Sequence, residues 1–145
     1  MKKMNTGDSM IFENSLITVE HEPSEIPWVK VFTKRNIKEF SHCSSEEKTE
    51  IFRVIDITEK LMLSYFNENK KGLMSSSQQN IITNPICKIN IASFGNILPR
   101  VHWHIMARFE NDSYFPEPMW GKKQRDSSLV LPSIEVFYQK LGKEL

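Results

Sequence analysis

Cysteine is scarce in this sequence. Cys43 and Cys87 are the only two, and neither belongs to a CxxC pair. A disulfide framework of the kind that holds small secreted domains is therefore not indicated, and the pair reads as reduced thiols in a cytoplasmic protein. An excess of one charge is also missing. The formal net charge is +1, from 19 Lys and Arg against 18 Asp and Glu. That balance argues against a general nucleic-acid binder, whose affinity rests on a large positive excess, but leaves room for a local phosphate pocket. No apolar run approaches the length of a membrane span. The start, MKKMNTGDSM, is basic but lacks the apolar core of a secretory signal. No internal repeat is visible. What remains is one ordinary domain, expected to span residues 1–145, to stay off membranes, and to bury its core without a disulfide or metal.

The elements that are present alternate in a simple way. Leu16, Ile17 and Val19 suggest a short strand, with Glu13 and Asn14 at its turn. In the next segment Trp28, Lys30, Phe32 and Lys34 alternate with Val29, Val31 and Thr33, a second strand rich in β-branched and aromatic residues. Trp28 and Phe32 are read as core. A helix follows from about residue 45 to about 67. Ser44 stands three residues before Glu47 as a capping box, and Ile51, Ile55, Thr58, Met62 and Tyr65 recur at helical spacing. Gly72 is its expected stop, and the Ser- and Gln-rich stretch 73–85 is expected to be a surface loop. Residues 86–94 alternate as a strand, GNILP at 95–99 makes a turn, and a last strand starts at once. Ser133 can cap a C-terminal helix carrying Ile134, Phe137 and Leu141 on one face. Strands and helices are segregated, with no βαβ rhythm, which predicts an α+β fold with an antiparallel sheet.

The last strand raises the chemical question. In RVHWHIMARF, residues 100–109, two histidines lie two positions apart in an apolar run. Residues two apart in a strand share a face, roughly 6.6 Å apart along it. Arg100, His102, His104 and Met106 are therefore expected on one face, and Val101, Trp103 and Ile105 on the core face. Such a row is a solvated surface, a metal site, or a catalytic site. A zinc site needs a third and usually a fourth ligand, and His21 and His42 are far away in sequence. Catalysis on phosphorus suits imidazole, which is largely neutral and nucleophilic at pH 7. An arginine and the backbone donors of the Gly95–Asn96 turn could hold the phosphate. Trp120 is a candidate for a rim or dimer contact, or for simple packing. The two cysteines have no activating neighbours in the sequence.

The stretch GNILPRVHWHIMARFENDSYFPEPMWG, residues 95–121, resembles the active-site segment of the histidine triad (HIT) family. That family's motif is His-φ-His-φ-His-φ-φ, with φ apolar. Residues 100–106 match at the last two histidines and at all four apolar positions, whereas the first histidine is replaced by Arg100. The upstream KINIASFGN and the downstream ARFENDSYFPEPMWG look like the bacterial branch, which often has another residue at that first position. The resemblance implies an antiparallel sheet of about five strands with one long helix and a C-terminal helix, assembled as a homodimer. It implies a nucleotide hydrolase or transferase acting on the α-phosphate of nucleoside phosphoramidates or dinucleoside polyphosphates. His102 would be the nucleophile, forming a nucleotidyl-histidine, and His104 would contact the phosphate or the leaving-group oxygen. Asn90, Gly95, Asn96, Trp120 and Arg100 would bind substrate, Arg100 as a phosphate clamp. No metal site and no required cofactor are implied, with Mg²⁺ accompanying a polyphosphate substrate. Two alternatives stay open: a nucleotide-binding module with little catalysis because of Arg100, and a metal-dependent hydrolase built on the HxH pair.

Overall fold

A computed structural model describes residues 9–68 and 83–145. Five strands form one antiparallel sheet: β1 Met10–Glu13, β2 Ile17–His21, β3 Trp28–Thr33, β4 Lys88–Ala92 and β5 His102–Arg108. Their spatial order is β1-β2-β3-β5-β4, so β5, the strand with the histidines, lies inside the sheet between β3 and the edge strand β4. Helix α1, Ser45–Glu68, and helix α2, Ile134–Glu144, supply the second layer. Gly72 and most of the stretch 73–85 lie outside the described residues.

Local chemistry explains the boundaries. At the start of α1 the Ser44 hydroxyl accepts from the Glu47 N–H at 3.1 Å, and the Glu47 carboxylate accepts from the Ser44 N–H at 2.7 Å, the expected capping box. Arg35 adds two more bonds to that carboxylate and, as the main cause, holds it down at about 2. At α2 the Ser133 hydroxyl accepts from Val136 N–H. The sheet's two faces follow the alternation of the strands. Ile17, Val19, Val29, Val31 and Ile105 are fully buried, in one cluster with Ile51, Val54 and Met62 of α1 and Phe137 and Leu141 of α2. The opposite face carries Trp28, Lys30, Phe32, His102, His104, Met106 and Arg108.

Three expectations need correction. A separate strand, β1, precedes the turn at Asn14; four residues without clear alternation gave it no signal in the sequence. Its edge is held by pairing with β2, and the turn by the Asn14 side chain, which accepts from the N–H groups of Leu16 and Ile17. The strand at 86–94 is shorter, Lys88–Ala92. The last strand starts at His102, not at Arg100, because Val101 N–H turns aside to the Ile37 carbonyl at 2.7 Å.

Candidate active site

Register puts the site together. β3 pairs with β5 so that Phe32 faces His102 and Lys30 faces His104. Cross-strand neighbours on one face lie within contact distance, and here they stack. The His102 ring lies on Phe32 with centroids 5.0 Å apart and planes 15° apart. The two imidazoles are 5.0 Å apart, edge to face. Both are 8% exposed. His102 Nδ1 lies 2.7 Å from the carbonyl oxygen of Arg100, and His104 Nδ1 accepts from the indole N–H of Trp28 at 3.0 Å. Burial, then the neighbouring His102 and Lys30, pull His104 down to about 4, against a smaller opposing effect of Glu22.

A cavity of about 370 Å³ opens in front of the two rings. Gly95, Asn96, Ile97, Leu98, Phe94 and Trp120 form its other walls. Gly95 adopts φ +76°, a conformation that costs other residues energy, and so turns the chain sharply beneath the cavity. Trp120 stands at the rim. Its ring lies edge-on to His104 at 4.9 Å, to Phe94 at 4.8 Å and to Trp28 at 5.3 Å. Lone-pair nitrogens, N–H donors and aromatic walls around one cavity suit a planar or phosphorylated ligand.

A family model for the HIT domain matches residues 7–111, well over half of the chain. The chain belongs to the HIT domain family. Solved structures of bacterial histidine triad proteins have the same fold. One from Bradyrhizobium japonicum is 20% identical, with 99% of this chain and 96% of that chain covered and a TM-score of 0.64. One from Marinobacter aquaeolei VT8 is also 20% identical, with coverage of 100% and 98% and a TM-score of 0.64. One from Sinorhizobium meliloti 1021 is 19% identical, with coverage of 99% and 95% and a TM-score of 0.61. No functionally curated protein matches the chain in sequence.

Within this HIT domain the expected site residues divide. His102, His104, Gly95, Asn96 and Trp120 meet around the one cavity. Arg100 does not line that cavity. It precedes β5, its guanidinium donates to the Thr33 carbonyl, and it lies over Phe32 at 5.4 Å from the ring centroid. Nor does it pair with Glu110 or Asp112. Asn90 lines an adjoining cavity with Met106, Met119 and Trp120, and its side-chain oxygen accepts from Arg108 at 2.9 Å.

That Arg108 is part of a buried staple that sequence reading missed. Its guanidinium makes two bonds to Asp112, at 3.0 and 3.1 Å, and one to the Glu117 carbonyl at 2.7 Å. Asp112 also accepts from the N–H groups of Phe109, Tyr114 and Phe115. Burial alone would push this carboxyl up, but the bonds from Arg108 and the backbone outweigh it and hold it below its ordinary range. The staple fixes the loop that delivers Trp120. Trp28 and Phe32 were read as core; Phe32 is buried and Trp28 packs against the core, but their place beside the histidines was missed. The signal was in the sequence: if Val29 and Val31 face the core, Trp28, Lys30 and Phe32 face the other way. Among the described residues no group of three or more His, Cys, Asp or Glu side chains lies together as metal ligands.

Proposed function

We propose that this HIT-domain protein is a nucleotide hydrolase or transferase acting on the α-phosphate of nucleoside phosphoramidates or dinucleoside polyphosphates, through a nucleotidyl intermediate on His102. The observation that carries the reading is the 2.7 Å contact between His102 Nδ1 and the Arg100 carbonyl. A carbonyl can only accept, so the ring proton lies on Nδ1 and Nε2 keeps its lone pair. Attack forms a bond from Nε2 to phosphorus while the bond to the leaving group breaks, and the departing group takes the electron pair. The ring then carries positive charge, which its Nδ1–H shares with the Arg100 carbonyl. Water attacks next, the phosphorus–nitrogen bond breaks, and nucleoside monophosphate leaves. A different acceptor in place of water makes the same chemistry a transfer. Attack by imidazole requires no cofactor, and Mg²⁺ accompanies a polyphosphate substrate.

The Arg100 contacts bear on the alternative of a silent binding module. Its side chain is bound to Thr33 and Phe32, so replacing the first motif histidine leaves the His102–Arg100 backbone contact in place. A homodimer belongs to the same reading. β4 is an edge strand with Ile91 39% exposed, and such an edge invites pairing. The test is monophosphate release from a panel of adenosine and guanosine phosphoramidates and dinucleoside polyphosphates. His102→Ala is expected to lose roughly 10³-fold or more in kcat, as nucleophile removal does elsewhere. Turnover near the native rate in that variant rejects the mechanism.

A further inference from the structure

We infer that Trp28 is a positioning residue: its indole N–H fixes His104 as a ring with its proton on Nε2, so His104 serves the phosphate as a hydrogen-bond donor and gives no proton to the leaving group. The catalytic half of this inference rests on the reading of His102 as nucleophile. The state of the His104 ring stands on geometry alone.

An indole nitrogen donates and never accepts. Trp28 Nε1 lies 3.0 Å from His104 Nδ1, so the Nδ1 lone pair is engaged and the proton of the neutral ring is on Nε2. An imidazolium at 104 would turn two N–H groups against each other. Proton loss from Nε2 of the neutral ring would leave an imidazolate. Neither suits an acid. The indole is itself held. The Trp28 backbone N–H donates to the Tyr138 hydroxyl at 3.0 Å, that hydroxyl donates back to the Trp28 carbonyl at 3.4 Å, and the ring packs against Trp120.

The charges around His104 point the same way. Lys30 faces it across the sheet and carries Glu22 at 2.6 Å. His102 lies beside it on β5. Ala92, its partner on β4, and Trp120 above it cannot charge. The value of about 4 agrees. His102 and His104 therefore hold opposite tautomers, one with a lone pair on Nε2 and one with a proton there. In the first step the bond to the leaving group breaks and that group takes its proton from water, and the hydroxide so formed is consumed when the nucleotidyl-histidine is hydrolysed in the second step. His104 keeps its own while bonded to a phosphate oxygen.

Nitrogen-15 spectra of the histidine rings test this without turnover. In the native protein His104 is expected to show one protonated nitrogen, Nε2, and one bare nitrogen, Nδ1, from pH 8 down to about pH 5. In Trp28→Phe it is expected to titrate within that window. At pH 8, where both proteins carry a neutral ring, kcat is expected to fall by up to about tenfold with KM little changed, the loss of one hydrogen bond. Should Trp28→Phe not fold, benzothienylalanine at position 28 keeps the ring shape and lacks only the N–H. A native His104 that titrates above pH 5, or carries its proton on Nδ1, overturns the inference. So does a position-28 variant whose His104 titration and kcat match the native protein. Absence of any nucleotidyl transfer would reject the proposed function while leaving the ring spectra to decide this point.

Discussion

Two loops flank β5, and they are built in opposite ways. The one that enters, residues 93–101, presents its apolar side chains to solvent: Phe94 is 58% exposed, Ile97 100% and Leu98 48%. Its ties are few, chiefly the Ser93 hydroxyl to the His102 carbonyl and the Arg100 contacts. The one that leaves, residues 109–121, is wrapped around a buried ion pair. Arg108 is 1% exposed and Asp112 is fully buried. Further out, Ser113 binds Glu25 and Arg125 binds the carbonyls of Asp112 and Phe115. Both loops reach the same cavity, through Phe94 to Leu98 on one side and Trp120 on the other. The difference teaches how a small fold divides its labour. The stapled loop holds an aromatic wall at a fixed distance from His104. The open loop leaves apolar surface at the mouth of the site, where a ligand would cover it.

The sharpest way to break this contrast is at Asp112. Asp112→Ala leaves the Arg108 guanidinium buried without its partner and three backbone N–H groups without an acceptor. The expected destabilisation is about 3–5 kcal/mol, measured by chemical denaturation. A loss under about 1 kcal/mol would show that the staple does not hold the second loop.

Acid separates the groups next. Folded His104 takes a proton only near 4, whereas an unfolded histidine takes it near 6.5. Between those values the unfolded chain holds more protons, so stability is greatest above pH 6.5 and declines toward pH 4. His104 contributes at most about 3 kcal/mol to that decline. Asp112 acts lower still. Its carboxyl is depressed, so its contribution is present above the ordinary carboxyl range and disappears only as pH falls through the depressed value. Denaturation at a series of pH values checks both, and His104→Gln is expected to flatten the upper part of the decline.

Arg100 sharpens the comparison from the open side. Arg100→Gln removes the bond to the Thr33 carbonyl and is expected to cost roughly 1.5 kcal/mol of stability. Affinity for a non-hydrolysable nucleotide analogue, read by calorimetric titration, is expected to stay within about twofold. A tenfold loss would put the guanidinium on the phosphate. Smallest of all is Ile97→Ser, expected to change stability by less than about 0.5 kcal/mol because the side chain is wholly exposed. A larger loss would mean the open loop is packed after all.

Much of this was legible in the sequence, for reasons that can be named. Helix α1 announced itself through Ser44, Glu47 and the apolar stripe, because capping and periodicity are local. The cavity around His102 and His104 was legible through the motif, which carries Gly95, Asn96 and Trp120 with it. What failed was non-local or depended on one bond. Arg100 was expected inside the last strand by extending its alternation two residues too far, where Val101 leaves the sheet for Ile37. Asn90, matched to substrate, lines the adjoining cavity, and its side-chain oxygen is bound by the buried Arg108, a contact with no sign in the sequence. Trp28 and Phe32 were read as core, and Phe32 is buried while Trp28 packs against the core, but their contact with the two imidazoles depends on the register of β3 on β5.

The most direct measurement is on His102 itself. Rapid quenching of the protein during turnover of an adenosine phosphoramidate, followed by peptide mass analysis under conditions that preserve phosphorus–nitrogen bonds, reads which residue carries the nucleotide. A nucleotidyl group on His102, formed and lost at the rate of turnover and absent from His102→Ala, is the expected result. Turnover with no labelled histidine, or with the label on His104, would contradict it.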